Sequence, residues 1–242
     1  MDVNGVALVV GAGSGIGLET ALLFAERGAR AVVFADQVFD AASEASEKSK
    51  SIATAGDYQT LAIAVDVRDR ASVKAIVEEV KKRFARLDYA VNSAGLQEEI
   101  VAMKDQEPAH VEGRSGRRSI GPGSIMNVTS LSSYVSSTNS ITYTARKFAA
   151  RGIIKCAALE NQKSGLRINE VCPGFTDTPM LRRGFQRKPE IEDLINKSMP
   201  LGRVATAEEI ANVIHFLASP GASFVNGQSI IADSGVSIAI VS

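Results

Sequence analysis

The chain has 242 residues, enough for one α/β domain with a sizeable core of its own. Twenty-seven basic residues balance 27 acidic ones, so no charge excess draws it to nucleic acid or to an anionic membrane. No run of about 18 apolar residues offers a transmembrane span, and Cys156 and Cys172 are too few for a disulfide framework. Two lone thiols point to a reducing compartment. With no basic leader ahead of the first strand-like run, the expected location is the cytoplasm.

In chain order, Val6–Val10 is the first apolar run, followed by glycines and a helix-spaced stretch, Ile16–Arg27. Ala31–Ala35 is the second strand and Leu61–Val65 the third, before helical spacing over Val73–Arg83. Tyr89–Asn92 and Ser124–Val128 come next, then a long helix over Thr142–Asn161. Arg167–Cys172, a helix over Glu208–Leu217 and Ser229–Ala232 complete the series. Strands this continuous in Val, Ile, Leu and Ala are those of a parallel sheet covered on both faces. Alternation with helices implies right-handed crossovers, so the expected fold is α/β, a doubly wound parallel sheet in one domain spanning 1–242. One stretch departs from the alternation. Residues 97–123 offer a weak helix over Gln97–Glu107 before Pro108, then a basic loop through Arg114, Arg117 and Arg118 to Gly121-Pro122-Gly123. That length allows a crossover between adjacent parallel strands but promises no long apolar helix.

The first strand runs into Gly11-Ala-Gly-Ser-Gly15-Ile-Gly17 at the start of a helix. Bare backbone there lets a pyrophosphate approach, and free amides with the helix dipole face its charge. Asp36 ends the second strand, where a carboxylate accepts hydrogen bonds from ribose hydroxyls and repels a 2′-phosphate. No Arg or Lys lies within the loop or directly after Asp36. NAD is therefore the expected cofactor, ahead of NADP.

Tyr143 and Lys147 stand four apart and share one helix face. A free phenol, with a pKa near 10, is a poor base at neutral pH. A neighbouring ammonium favours the phenolate and makes proton transfer workable. Ser130, after the fifth strand, can donate a hydrogen bond to a substrate oxygen.

The glycines at 11, 15 and 17, with Ser130, Tyr143 and Lys147 in this order, resemble the short-chain dehydrogenases/reductases. The resemblance spans nearly the whole chain and implies a Rossmann-type fold. It implies that Gly11, Ser14, Gly15, Ile16 and Gly17 hold the dinucleotide phosphates and Asp36 the adenosine ribose. Asp66 and Val67 resemble the family's adenine contact, and Asn92-Ser-Ala94-Gly95 its motif after the fourth strand. Pro173, Gly174, Thr176 and Thr178 resemble the segment at the nicotinamide end, with Thr178 touching the carboxamide or a phosphate. Tyr143 and Lys147 would touch the cofactor as well as catalyse. The implied activity is hydride transfer between nicotinamide and a secondary alcohol or ketone, a small-molecule substrate. Residues 178–200 would form a substrate lid, with Phe185, Ile191, Leu194 and Ile195 as apolar contacts. Arg182, Arg183, Arg187 and Lys188 read as a solvated face.

Four departures stand against the family pattern. No Asn occurs between Ser93 and Met126, where many members carry a fourth catalytic residue on a long helix. The segment is also about a dozen residues or more too short for that helix. Either the relay member and part of the helix are lost, or a divergent loop supplies another group, such as His110. That helix helps form the family's dimer interface, so a homo-oligomer would rest on a shortened one. Arg146 replaces a small residue, and Glu170 stands where strand six usually has Ala; a charge there is costly unless paired. The competing reading is a catalytically impaired dinucleotide-binding or assembly protein, and a third is a poorly folding isoform. Cys156 and Cys172 read as core thiols, and His110 and His215 are too isolated to suggest a metal site.

Overall fold

The computed structural model describes residues 3–94 and 123–239. Seven strands, β1 (Val6–Val10), β2 (Ala31–Asp36), β3 (Gln59–Ala64), β4 (Tyr89–Asn92), β5 (Ser124–Val128), β6 (Arg167–Pro173) and β7 (Ser229–Ala232), form one sheet. Their order is β3-β2-β1-β4-β5-β6-β7 and every pairing is parallel. The expected doubly wound sheet is present. The chain winds outward from β1 to β3, then returns to place β4 on the other side of β1. Where the winding reverses, the carboxyl ends of β1 and β4 open a crevice, the usual ligand site of such sheets.

Register assigns the two faces. Ala7, Val9, Tyr89, Val91, Met126 and Val171 belong to one buried cluster. Helices α1 (Gly15–Glu26) and α7 (Ala207–Ala218) cover it with Phe24, Ala25, Ile210, Ile214 and Leu217. Successive strand residues point to opposite faces, so Leu8, Ala90, Ile125 and Ile168, paired in register, share the other face. There α3 (Arg70–Phe84) packs Ile76, Val80 and Phe84 on β1 and β2. On the same face α4 (Ile141–Glu160) packs Ile154 and Ala158 on Leu166 and Ile168. Between these clusters Ala90 and Ile125 are only half-buried, while Tyr89 and Met126 behind them are fully buried.

Three helices were not foreseen. Helix α2 (Phe39–Lys50) buries only Ala42, Ala45, Ser46 and Ser49, a stripe of small residues at helical spacing with too little hydropathy to stand out. Residues within the expected lid form α5 (Pro179–Arg187) and α6 (Glu190–Ser198), neither with a buried residue. Cys172 is a core thiol as expected, but Cys156 is exposed on α4 and is corrected here. It falls off the stripe of Ile154 and Ala158 that faces the sheet. The crossover from 97 to 122, with His110, lies outside the described residues. No described helix is long and apolar enough to cross a membrane.

Candidate active site

The glycine loop is held between β1, β2 and β4. The Gly11 and Ala12 amides donate to the Ala35 carbonyl at 2.8 and 3.1 Å. Gly11 adopts φ +83°, and a Cβ there would meet the Ala94 nitrogen at 2.8 Å. A Cβ on Gly17 would come within 2.0 Å of the Gly11 carbonyl oxygen, so glycine alone lets α1 start this close to β1. The first amides of a helix have no intrahelical acceptor, and Ser14 at the N-cap makes no side-chain capping bond. Those donors face the crevice side of the loop with a helix dipole behind them.

The Asp36 carboxylate lies against this loop. Oδ2 accepts from the Gly13 amide at 2.8 Å and Oδ1 from the Val38 amide at 3.0 Å. A Cβ on Gly13 would press within 2.9 Å of the Asp36 Cγ. Sequence reasoning passed over Gly13; the second glycine of Gly-Ala-Gly was its signal. At the end of β3, Asp66 forms an exposed fork with Arg68, whose Nε and Nη2 donate at 2.7–3.1 Å. These donors, with the Arg68 amide, hold the Asp66 carboxyl down at about 2. Val67 follows directly. On the β4 side, the Ser93 amide donates to the Val10 carbonyl at 2.9 Å, bringing Asn92, Ser93 and Ala94 beside the loop. Gly95 lies outside the described residues.

Ser130 opens the 3-10 turn after β5 as its N-cap. Its Oγ accepts from the Ser132 amide at 3.1 Å, which leaves its hydroxyl hydrogen able to donate elsewhere. The turn is pinned to α4: Arg151 donates to the Ser133 carbonyl at 3.1 Å and lies 3.5 Å over the Tyr134 ring. One helical turn towards the N-terminus of α4, the Lys147 Nζ lies 5.6 Å from the centroid of the Tyr143 ring. Burial pushes the Lys147 ammonium below its ordinary pKa, against the nearby Cys172 and Glu170. Arg146, the unusual neighbour of Lys147, has its Nη1 buried with no hydrogen-bond partner among the described residues.

The strand after α4 closes the site. The Gly174 amide donates to the Ala232 carbonyl at 3.0 Å, and Thr176 Oγ1 donates to the Gly174 carbonyl at 3.2 Å. Asp177 then donates its amide to the Ala205 carbonyl at 2.8 Å. Anchored in this way, Thr178 caps α5 by accepting from the Leu181 amide at 3.3 Å. Its Cγ2 sits 3.2 Å from where a Gly15 Cβ would stand, so the C-terminal segment meets the glycine loop. The expected apolar lid contacts divide: Phe185, Ile191 and Ile195 are half-buried, whereas Leu194 is exposed. Of the basic lid residues, Arg182 pairs with Asp177.

A family model described as short chain dehydrogenase matches residues 5–112, and one described as Enoyl-(Acyl carrier protein) reductase matches residues 108–237. A Neurospora crassa protein named short-chain dehydrogenase srdC is 40% identical, over 99% of this chain and 99% of its own length. The chain belongs to the short-chain dehydrogenase/reductase family. Within that oxidoreductase family, a Sinomonas cyclohexanicum protein named cis-4-hydroxycyclohexanecarboxylate dehydrogenase is 35% identical over 95% of each chain. A solved 7α-hydroxysteroid dehydrogenase, complexed with NADH and 7-oxo glycochenodeoxycholic acid, superposes with a TM-score of 0.82 at 26% identity. That match covers 97% of this chain and 94% of the other. The alignment with the Neurospora short-chain dehydrogenase runs over 270 positions against the 242 residues here. That relative thus carries at least 28 residues with no counterpart in this chain.

Proposed function

We propose that this short-chain dehydrogenase/reductase is an NAD-dependent enzyme that interconverts a secondary alcohol and a ketone, with Ser130, Tyr143 and Lys147 as catalytic residues. The observation that carries the reading is the half-buried Lys147, its ammonium lowered by desolvation, beside the Tyr143 ring on a helix tied to the Ser130 turn. Neither feature suits a surface helical pair, the ordinary reason for a Tyr and a Lys at this spacing. A bound nicotinamide would accept hydride in alcohol oxidation or donate it in ketone reduction. The chain's own residues do the rest. Ser130 donates to the substrate oxygen, and Tyr143 takes the hydroxyl proton or returns it. Lys147 stabilises the negative charge that develops on the phenol oxygen.

The loop fits the cofactor's phosphates because the first amides of α1 are left without a side-chain cap at a helix N-terminus, where glycine at 11 and 17 lets the backbone pack this closely. Gly11, Ser14, Gly15, Ile16 and Gly17 would hold its phosphates, with Thr178 beside them. Asn92, Ala94 and Gly95 would border it from β4, and Pro173, Gly174 and Thr176 from β6. Asp66 and Val67 would line the adenine. Asp36 supports NAD over NADP: two backbone amides fix the carboxylate where a 2′-phosphate would meet its charge. The named dehydrogenase of a hydroxylated cyclohexane acid supports a secondary alcohol as substrate class.

The test is Tyr143→Phe. It should reduce turnover of any alcohol or ketone found by screening by at least about a thousandfold, within the range of lost acid–base catalysis. NADH affinity should change little. Retained turnover would remove Tyr143 from the chemistry.

A further inference from the structure

Glu170 stands in the middle of β6 with no solvent exposure. The Ser229 hydroxyl on β7 contacts its Oε1, but its Oε2 has no hydrogen-bond partner among the described residues. Asn127, its register partner on β5, is also buried, and its Oδ1 likewise lacks a donor. The Asn127 amide donates its Nδ2 to the Asn169 carbonyl at 3.4 Å, which orients the oxygen away from that bond. Two acceptors buried side by side without a donor are costly in a folded protein. The neighbourhood therefore needs a donor that faces this part of the sheet.

Helix α4 brings its cations over this part of the sheet. Ile154 and Ala158 pack on Leu166 and Ile168, so the helix runs over β6 with its N-terminus towards the carboxyl end of the strand. Seven residues back from Ile154 is roughly 10 Å of helix rise, and Ile168 to Glu170 and Cys172 is roughly 7 to 13 Å of strand. Lys147 thus falls above Glu170 and Cys172. Arg151 is engaged by the Ser133 carbonyl and the Tyr134 ring, and Lys155 by the Gly227 carbonyl at 3.1 Å, while the Nη1 of Arg146 is buried with no hydrogen-bond partner among the described residues. Burial, with the Thr129 hydroxyl 3.2 Å away, leaves the Cys172 thiol pushed up to about 11, so it is neutral at physiological pH. Ser229 on β7 and Asn127 on β5 do not titrate. Of these cations, Lys147 is the one whose ammonium feels the Glu170 carboxylate electrostatically.

We propose that Glu170 is a positioning residue for Lys147: its carboxylate draws the ammonium towards the sheet and holds it beneath the Tyr143 ring. The proposal rests on the catalytic reading of Tyr143 and Lys147 given above. Burial lowers the Lys147 ammonium overall, and against it Cys172 and, after it, Glu170 act to raise it.

The test reads Lys147 directly. Reductive methylation of the full chain, followed residue by residue with peptide mass spectrometry across pH, gives the titration midpoint of Lys147 without any need for turnover. Glu170→Gln keeps the shape and the Ser229 contact while removing the charge. The expected result is a Lys147 midpoint lowered by about half a pH unit or more, because a nearby anion no longer favours the charged form. An unmoved midpoint overturns the proposal. Glu170→Ala, read in the same way, serves if the glutamine variant does not fold. Steady-state kinetics then separate this proposal from the functional reading. With a competent substrate, Glu170→Gln should lower kcat several-fold more than it changes KM, with Glu170→Asp recovering part of the loss. A Lys147 midpoint that moves in Glu170→Gln, with a wild-type chain that turns over no alcohol or ketone, keeps the coupling between Glu170 and Lys147 and refutes the dehydrogenase. Turnover with an unmoved Lys147 does the reverse.

Discussion

Cys172 points into the core from β6, its sulfur 3.2 Å from the Thr129 hydroxyl, while Cys156 is exposed on α4. The thiolate is the reactive form, and burial has pushed the Cys172 thiol up to about 11. At pH 8 only about one part in a thousand of Cys172 is thiolate. Iodoacetamide at that pH should therefore alkylate Cys156 in the folded protein and spare Cys172 until the chain is unfolded. Equal labelling of both would contradict the packing of α4 on β6. The two thiols read alike as sequence because only the phase of the helix against the sheet distinguishes them. Asp36 was more legible: its place at the end of a strand already defined its neighbours. What the sequence did not disclose is that the Gly13 amide donates to it, a contact made by a loop conformation rather than by a residue pattern. Glu170 was legible as an oddity in a buried strand, but its partners come from β5, β7 and α4 and had no local signal.

Among the helices, α7 carries its own start signal. Thr206 Oγ1 accepts from the Glu209 amide at 3.2 Å, and Glu209 Oε2 accepts from the Thr206 amide at 2.8 Å. Arg203 donates to both oxygens of Glu209 at 2.7 and 2.8 Å. Chiefly through Arg203, then through the Thr206 amide, the Glu209 carboxyl is held down at about 2. A carboxyl with a lowered folded-state value contributes stability that is fully present above its free value, roughly 4.3, and is lost as pH falls towards the folded one. Hydrogen exchange of the first-turn amides of α7 should thus accelerate, beyond the intrinsic pH effect, between about pH 5 and pH 2. Glu209→Gln should abolish that pH dependence. The effect is small because solvent screens an exposed pair. Exchange with the same pH response in both proteins would contradict the capping arrangement. By contrast, α2, α5 and α6 were illegible as helices. The first buries a stripe of Ala and Ser, and the other two bury nothing, so the apolar period that reveals a helix is faint or has no core to face.

At the scale of the molecule, the sheet was the most legible feature. Six of its strands are rich in Val, Ile, Leu and Ala because helices cover them, and their order follows from right-handed crossovers between neighbours. The departures lie on one face. Ala90 and Ile125 are half-buried between the cluster under α3 and that under α4, and Ile141, Phe148 and Leu159 on α4 are exposed. The Neurospora relative carries 28 or more residues with no counterpart in this chain. The opposite face, with α1 and α7 over the buried cluster, is complete, and it carries the glycine loop. On our reading the chain folds as one unit around that face, and that face carries a dinucleotide site.

Calorimetric titration of the purified chain with NADH, and separately with NADPH, tests that claim most directly. The account predicts saturable NADH binding at one site per chain, with NADPH at least about tenfold weaker, equivalent to about 1.4 kcal/mol. Asp36→Ala should narrow that difference. Binding of neither nucleotide, or tighter binding of NADPH, would contradict it.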